Sequence, residues 1–367
     1  MSTRLHAMPE AQDRERLPVA ILTGALGSGK TTLLNALLHD PRLADTAVAI
    51  NEFGDVPLDQ HLIDHGDDKT VVMANGCLCC NLAGDMEQAV MRVFSRRQSG
   101  ELPQFSRLIV EPSGLADPAP IAQAILRNPV LSRFLRLDTI VATVDALFGG
   151  NALRSHQESR KQAAMADRIV VTKTDLVAPK DVVALEVELA QINPNAPRVD
   201  GHQTRSNASS VFSEHFFEPS ARRSAIAQWL EESKDRFPRL ATPTSDRHAH
   251  HAHADATSAS IVCAAPLVWR EFEAWLRRIR IDWSGSLLRV KGILNVKGLP
   301  LPVAIQGVHH VLHPPVALER WPSRDHRSRI VFITQGSASR EILESWEGAR
   351  ERLCAREDID LAREAPA

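Results

Sequence analysis

The run Gly24-Ala25-Leu26-Gly27-Ser28-Gly29-Lys30-Thr31-Thr32 has the spacing G-x-x-x-x-G-K-[ST], which suits phosphate chemistry. Glycines let consecutive backbone N–H groups turn toward the β- and γ-phosphates of a nucleotide. A helix N-terminus behind them adds a favourable dipole. Lys30 supplies a point charge to those phosphates, and the Thr31 hydroxyl is placed to ligate Mg²⁺. An apolar run at 19–22 precedes the glycines and an amphipathic stretch at 31–38 follows them, so strand, loop and helix arrive in the required order. The expectation is a nucleoside triphosphate site.

Thr172-Lys173-Thr174-Asp175 stands directly after the apolar run 169–171, about where the [NT]-K-x-D element of GTPases falls. A carboxylate at Asp175 accepts from both N1–H and the N2 amino group of guanine, which adenine cannot offer, and Lys173 would lay its stem along the ring. GTP is therefore preferred to ATP. The run 108–110 ends in Glu111-Pro112-Ser113-Gly114, an acid at a strand tip followed by a glycine able to approach the γ-phosphate. Glu111 either holds Mg²⁺ through water or positions the attacking water; as a residue alone it also suits a salt bridge or a cap. Asn51-Glu52-Phe53-Gly54-Asp55 follows the second apolar run, and its carboxylates can sense Mg²⁺ or another metal. No water-positioning glutamine is evident, so slow intrinsic hydrolysis is expected.

A different chemistry sits between these segments. Cys77, Cys79 and Cys80, introduced by Asn75-Gly76, place three thiols on one turn, where they can converge on a soft or borderline cation. Zn²⁺ wants three or four N or S donors, and Glu52, Asp55 or a histidine would complete the set. Cys263 and Cys354 stand isolated in the sequence and read as small core residues. His248, His250, His251 and His253 either collect metal loosely or belong to an inert low-complexity segment. His309, His310 and His313 are not expected to be ligands; at least one reads as core or interface.

The elements that must position these groups follow from periodicity. Val- and Ile-rich runs at 19–22, 47–50, 71–73, 108–110, 139–144 and 169–171 read as buried parallel strands, with helices at 31–38, 82–95 and 120–127 between them. Strand alternating with helix predicts an α/β fold, a doubly wound parallel sheet, over 17–205. A flexible tail at 1–16 precedes it, and a helical connection at 206–240, with a helix at 221–234, follows. The stretch 242–260, with RHAHHAHAD, reads as a His-rich linker occupying 241–260. Strands at 261–267, 287–296, 303–310 and 329–334, between helices at 269–281 and 341–353, predict a second, smaller α+β domain over 261–353, with a tail at 354–367. Composition bounds the rest. The 367 residues carry 43 Lys+Arg against 45 Asp+Glu, a balance that argues against a basic nucleic-acid surface. The longest apolar run, 261–269, is far short of the roughly 20 residues of a membrane span, and the polar first 18 residues lack a secretory core. Five cysteines, three of them within four residues, fit metal binding in a reducing, cytoplasmic setting better than disulfide stapling.

Taken in order, GALGSGKTT, NEFGD, NGCLCC, EPSGLADP and TKTD resemble the CobW-type metallochaperone GTPases. LLRVKGILNVKG, QGVHHVLHPP and SRIVFI look like the CobW C-terminal domain, so the similarity runs from about Val19 to Leu353. The resemblance implies a GTP- and Mg²⁺-dependent protein that carries a transition metal, zinc by preference and cobalt as alternative, to a client metalloprotein. Members of that family serve zinc, cobalt for cobalamin synthesis, or the metal centre of nitrile hydratase. Carried over, the loop residues are Lys30 and Thr31, the metal thiolates Cys77, Cys79 and Cys80, and the guanine reader Asp175. Asp55 stands where many members have Glu, and Thr172 replaces the usual Asn. A metal- or nucleotide-dependent dimer is compatible with this reading. The rivals are a P-loop small-molecule kinase and a non-catalytic metal buffer.

Overall fold

The structure is a computed structural model that describes residues 16–51, 71–75, 94–101, 104–204, 208–212, 256–318, 320–321 and 324–355. The expected helix at 221–234, the histidine run at 248–253 and most of the expected helix at 82–95 lie outside the described residues.

The short Val-, Ile- and Ala-rich runs form one parallel sheet. Its strands are β1 (Leu17–Gly24), β2 (Thr46–Asn51), β3 (Val71–Asn75), β4 (Arg107–Glu111), β5 (Leu135–Asp145), β6 (Arg168–Thr172) and β7 (Arg198–Asp200), in spatial order β3-β2-β4-β1-β5-β6-β7. Central β1 is buried along its whole length, and its alternate residues serve opposite layers. Ala20 and Leu22 pack with Leu33, Leu34 and Leu37 of α1 (Lys30–Leu37). Val19 and Ile21 share the other core with residues of α2 (Ala119–Arg127), α3 (Gly149–Ser155), α4 (Gln157–Met165) and α5 (Pro179–Ile192). Helices thus cover both faces, as the near-continuous apolar strands require. Each fully buried aliphatic side chain is worth about 1.5–3 kcal/mol of transfer free energy.

The second sheet is antiparallel: β8 (Ala256–Cys263), β9 (Leu287–Leu294), β10 (Val303–Val308), β11 (Val311–Leu312), β12 (Val316–Ala317) and β13 (Ser328–Gln335). Its order is β11-β10-β9-β13-β8, with β12 also on β10. One face is covered by α6 (Trp269–Asp282) and α7 (Ala338–Leu353). Phe272, Trp275, Leu276 and Ile279 fall at helical spacing and face Phe332 and Trp346; the Trp275 ring meets both edge-on, at 5.9 and 5.3 Å.

The strand expected at 261–267 lies earlier, at Ala256–Cys263, so residues 256–260 are sheet and not linker. Pairing sets its limits: β8 runs against β13 from Ala256↔Gln335 to Cys263↔Ser328, and Pro266, which has no N–H, lies beyond. The Ala, Thr and Ser residues that gave this stretch its low-complexity look are small inward-facing and hydroxyl-bonded positions; Thr257 Oγ1 lies 2.8 Å from Ser339 Oγ.

The other face of the second sheet meets the first domain. Along β13, Val331 and Ile333 join the core built on α4 and β1, whereas Ile330 and Phe332 join the core under α6 and α7. Charge is buried in this seam. Asp167, two residues after α4, accepts from Arg289 and, at 2.6 Å, from Lys291, both on β9. The Ile140 N–H also donates to it, at 2.9 Å. Burial alone would raise the Asp167 carboxyl, but the charges of Arg289 and Lys291 outweigh it and hold the group well below the usual carboxylate range. The turn joining β10 to β11 carries His309 and His310 to the same seam, where His310 Nε2 lies 2.8 Å from Arg127 Nη1 on α2. These histidines are interface residues, as one of the readings allowed.

Candidate nucleotide and metal site

The phosphate loop occupies the turn between Gly24, the last residue of β1, and Lys30, the first of α1. Close packing demands glycine at its start. A Cβ on Gly24 would stand 2.3 Å from Thr143 Oγ1 and 2.4 Å from the Thr143 carbonyl oxygen. Gly29, at φ +90°, caps α1 in the left-handed region. The loop is closed on itself: the Ser28 N–H donates to Ala25 O at 3.1 Å, and Ser28 Oγ lies 2.6 Å from Thr143 Oγ1.

Lys30 is buried, and its Nζ donates to the carbonyls of Gly24 and Ala25 at 3.0 and 3.2 Å. The ammonium therefore sits inside the loop, against backbone carbonyls of the turn that a bound phosphate would face. Thr31 Oγ1 donates to Glu111 Oε1 at 2.9 Å. A hydroxyl and a carboxylate side by side are an all-oxygen donor set of the kind Mg²⁺ takes, so the residues fit that ion. Glu111 is 3% exposed, at the tip of β4.

The segment after Glu111 returns to the loop. A Cβ on Gly114 would lie 2.4 Å from the Leu26 nitrogen and 2.6 Å from its Cα, so only glycine lets this backbone lie against the phosphate loop. Gln162, buried on α4, holds the turn from behind by donating to Gly114 O and Ala116 O at 3.2 and 3.0 Å. Thr172 and Lys173 also grip the loop: Thr172 Oγ1 donates to Ser28 O at 2.7 Å, and Lys173 Nζ to Gly27 O at 2.8 Å. Lys173 has φ +56° and faces Asp145 Oδ2 at 3.7 Å. Asp175 stands exposed in the turn that follows, with its carboxylate open to a ligand's edge. Ala25, Leu26, Gly27 and Thr32 complete the cradle, and Leu26 is 77% exposed at its mouth.

Sequence reasoning missed Thr143, Asp145 and Gln162. Asp145 ends β5 and accepts from the Phe148 N–H at 2.6 Å. An acid closing an apolar strand was the available signal. Gln162 gave none, because its role depends on α4 lying behind residues 114–116.

Glu52, Asp55, Cys77, Cys79 and Cys80 lie outside the described residues. Among the described residues no group of three or more His, Cys, Asp or Glu side chains is placed to hold a metal. The points from which the two segments depart are described. Asn51 ends β2, Asn75 ends β3, and the two are register partners in adjacent parallel strands. Among the described residues, no helix is long and apolar enough to cross a membrane.

Comparison with known proteins agrees with this arrangement. Residues 18–200 match the family CobW/HypB/UreG, nucleotide-binding domain, and residues 256–350 match the cobalamin synthesis protein cobW C-terminal domain. The zinc chaperone YjiA of Escherichia coli is 29% identical over 91% of this chain and 99% of its own length. The zinc-regulated GTPase metalloprotein activator 1 of Dictyostelium discoideum is 25% identical, over 90% of this chain and 79% of its own. Among solved structures, Zn(II)-bound YjiA GTPase from E. coli superposes with a TM-score of 0.62 at 26% identity, covering 91% of this chain and 98% of that one. With a phosphate cradle closed by a glycine at Gly114, a T-K-x-D turn gripping it, and both domains matched in order, this chain belongs to the CobW family of P-loop proteins.

Proposed function

We propose that this chain is a GTP-hydrolysing zinc chaperone that takes up Zn²⁺ on Cys77, Cys79 and Cys80 and passes it to a client metalloprotein. Glu52 and Asp55 serve as further donors, and the protein works in the cytoplasm, where thiols stay reduced. The observation that carries this reading is the pairing of Asn51 with Asn75. It launches the acidic segment and the cysteine segment from neighbouring strand tips, beside β4, whose tip holds Glu111 against Thr31. What the relatives' names say of zinc supports the choice of metal.

Lys30 and the loop N–H groups bind the β- and γ-phosphates, while Thr172, Lys173 and Asp175 bind guanine. Thr31 and Glu111 hold Mg²⁺, which neutralises charge on the phosphates. β3 lies three strands from β1, roughly 14 Å away at sheet spacing, so the cysteine segment starts well to the side of the phosphate loop. Coupling runs through the two intervening segments, after β2 and after β4. GTP draws them toward the loop and closes the thiolate site; hydrolysis lets them relax and loosens the metal. By linkage, zinc must then tighten GTP binding by the same factor.

The test is a zinc titration against a competing chelator with GDP or a non-hydrolysable GTP analogue bound. Zinc is expected to bind at least about tenfold tighter with the analogue, a coupling of about 1.4 kcal/mol. Equal affinities would sink the gating. Lys30→Ala is expected to abolish GTP hydrolysis, which disposes of the non-catalytic buffer reading; no hydrolysis by the unaltered chain would restore it.

A further inference from the structure

Two cysteines that read as isolated are brought together by the fold, away from the nucleotide loop. Cys263 ends β8 and Cys354 follows α7; they are 91 residues apart in sequence, yet their Sγ atoms lie 2.8 Å apart. Both are free thiols. A covalent S–S bond needs about 2.0 Å, so the two sulfurs already stand close to bonding distance.

The backbone already holds them in place. Leu267 pairs with Cys354 in an antiparallel bridge. The Val268 N–H donates to Leu353 O and the Ala355 N–H to Pro266 O, each at 2.8 Å. Leu267 is itself tied down, its N–H donating to Asn295 O at 2.7 Å and its carbonyl accepting from Lys297 at 2.9 Å. Cys354 is thus bracketed by hydrogen bonds on both sides, while Cys263 is held by its register pairing with Ser328.

Their surroundings differ. Cys263 is 3% exposed, and Ala265 O accepts from its thiol at 3.3 Å. Burial first, then the hydrogen bond and charge of Cys354, push the Cys263 thiol up to about 12. It keeps its proton at neutral pH. Cys354 is half-buried, so a small solute can reach it.

We infer that Cys263 and Cys354 form a reversible disulfide site, in which Cys354 meets a small-molecule disulfide and Cys263 resolves the adduct. In the first step the Cys354 thiolate attacks one sulfur of the small disulfide RSSR, forming a mixed disulfide and releasing RS⁻, which takes up the proton Cys354 gave to solvent. In the second step the Cys263 thiol gives up its proton, and the resulting thiolate attacks Cys354 Sγ. The Cys263–Cys354 bond forms, the bond to R breaks, and the departing thiolate takes the Cys263 proton. Two protein thiols are oxidised and one small disulfide is reduced to two thiols. Neither metal nor nucleotide takes part. The closed bond ties the end of α7 to the end of β8 and encloses β9 to β13 in one loop, which restricts its unfolded state.

The experiment exposes the full-length chain to graded mixtures of oxidised and reduced glutathione, blocks free thiols by alkylation, digests the protein and maps the fragments by mass. The Cys263 fragment is expected joined to the Cys354 fragment, with two hydrogens lost. The thermal unfolding midpoint should rise by several degrees, and excess reduced glutathione should reverse both changes. Cys263→Ser is expected to stall Cys354 as a glutathione adduct, whereas Cys354→Ser leaves Cys263 unmodified. Separate alkylation of both cysteines in every mixture, or bonding of either to Cys77, Cys79 or Cys80, overturns the inference; so does a Cys263→Ser protein whose Cys354 takes no adduct. If neither variant folds, the map of the unaltered chain decides.

Discussion

The phosphate cradle and the seam between the domains are both built on buried charge, yet they assemble it in opposite ways. In the cradle, Lys30 reaches carbonyls five and six residues behind it, and the whole loop comes from one contiguous stretch. In the seam, Asp167 is held by Arg289 and Lys291, with 122 positions of chain between it and Arg289. The cradle ammonium is held by backbone carbonyls of its own loop, next to the turn that carries the phosphate-loop spacing. The seam carboxylate is already matched by charge, so it contributes to holding the domains together. One cluster is local to a single turn; the other joins two domains through charges far apart in the chain.

The largest effect expected from breaking that contrast is at Asp167. Asp167→Asn leaves Arg289 and Lys291 buried without their counter-charge and should cost about 3–5 kcal/mol in urea unfolding. Guanine-nucleotide affinity of the folded protein should stay within about threefold, since the cradle shares none of these contacts. A matching fall in both would show that seam and cradle are one unit. The pH dependence has a definite sign. The folded carboxyl titrates below its unfolded value of about 3.9, so its stabilisation is complete above about pH 5 and is lost as pH falls through the lower folded value. Melting curves between pH 6 and 3 should show the onset of that loss in the unaltered protein and not in the variant.

An intermediate effect is expected at Gly114. The added methyl of Gly114→Ala meets the backbone of Leu26, which no side-chain movement relieves, and overpacking of this kind costs about 1–3 kcal/mol. Single-turnover GTP hydrolysis should slow by about tenfold or more, with the seam intact by urea unfolding.

The smallest change sharpens the cradle's side of the comparison. Thr172→Val removes the hydroxyl bond to Ser28 O, worth about 1 kcal/mol, and should weaken GTP binding about fivefold by equilibrium titration. Thr172→Ser keeps the donor and should restore the affinity.

The strand tips were legible because parallel strands buried on both faces must be apolar, and the polar residues that end them stand out. Glu111 and the 172–175 turn were found that way. The helix at Pro179–Ile192 and the short strand Arg198–Asp200 were not. The helix leaves Val183 and Val187 exposed and so blurs its periodicity, and the strand has three residues, none deeply buried. The start of β8 was misplaced because Ala, Thr and Ser carry no apolar signal; its position is set by register with β13.

From its order of residues alone this chain specifies the phosphate loop, the guanine-type turn, the C-x-C-C thiols and an α/β domain followed by a smaller α+β one. Those features are local, each needing neighbours within about ten positions, so spacing and residue type suffice to read them. Only the tertiary structure decided that Gln162 backs the Gly114 turn, that Asp167 is held by Arg289 and Lys291, and that Cys263 meets Cys354. Such contacts join residues tens to more than a hundred positions apart. Their geometry comes from how sheets and helices stack, and no pattern along the chain encodes which distant side chains that stacking will bring to the same place.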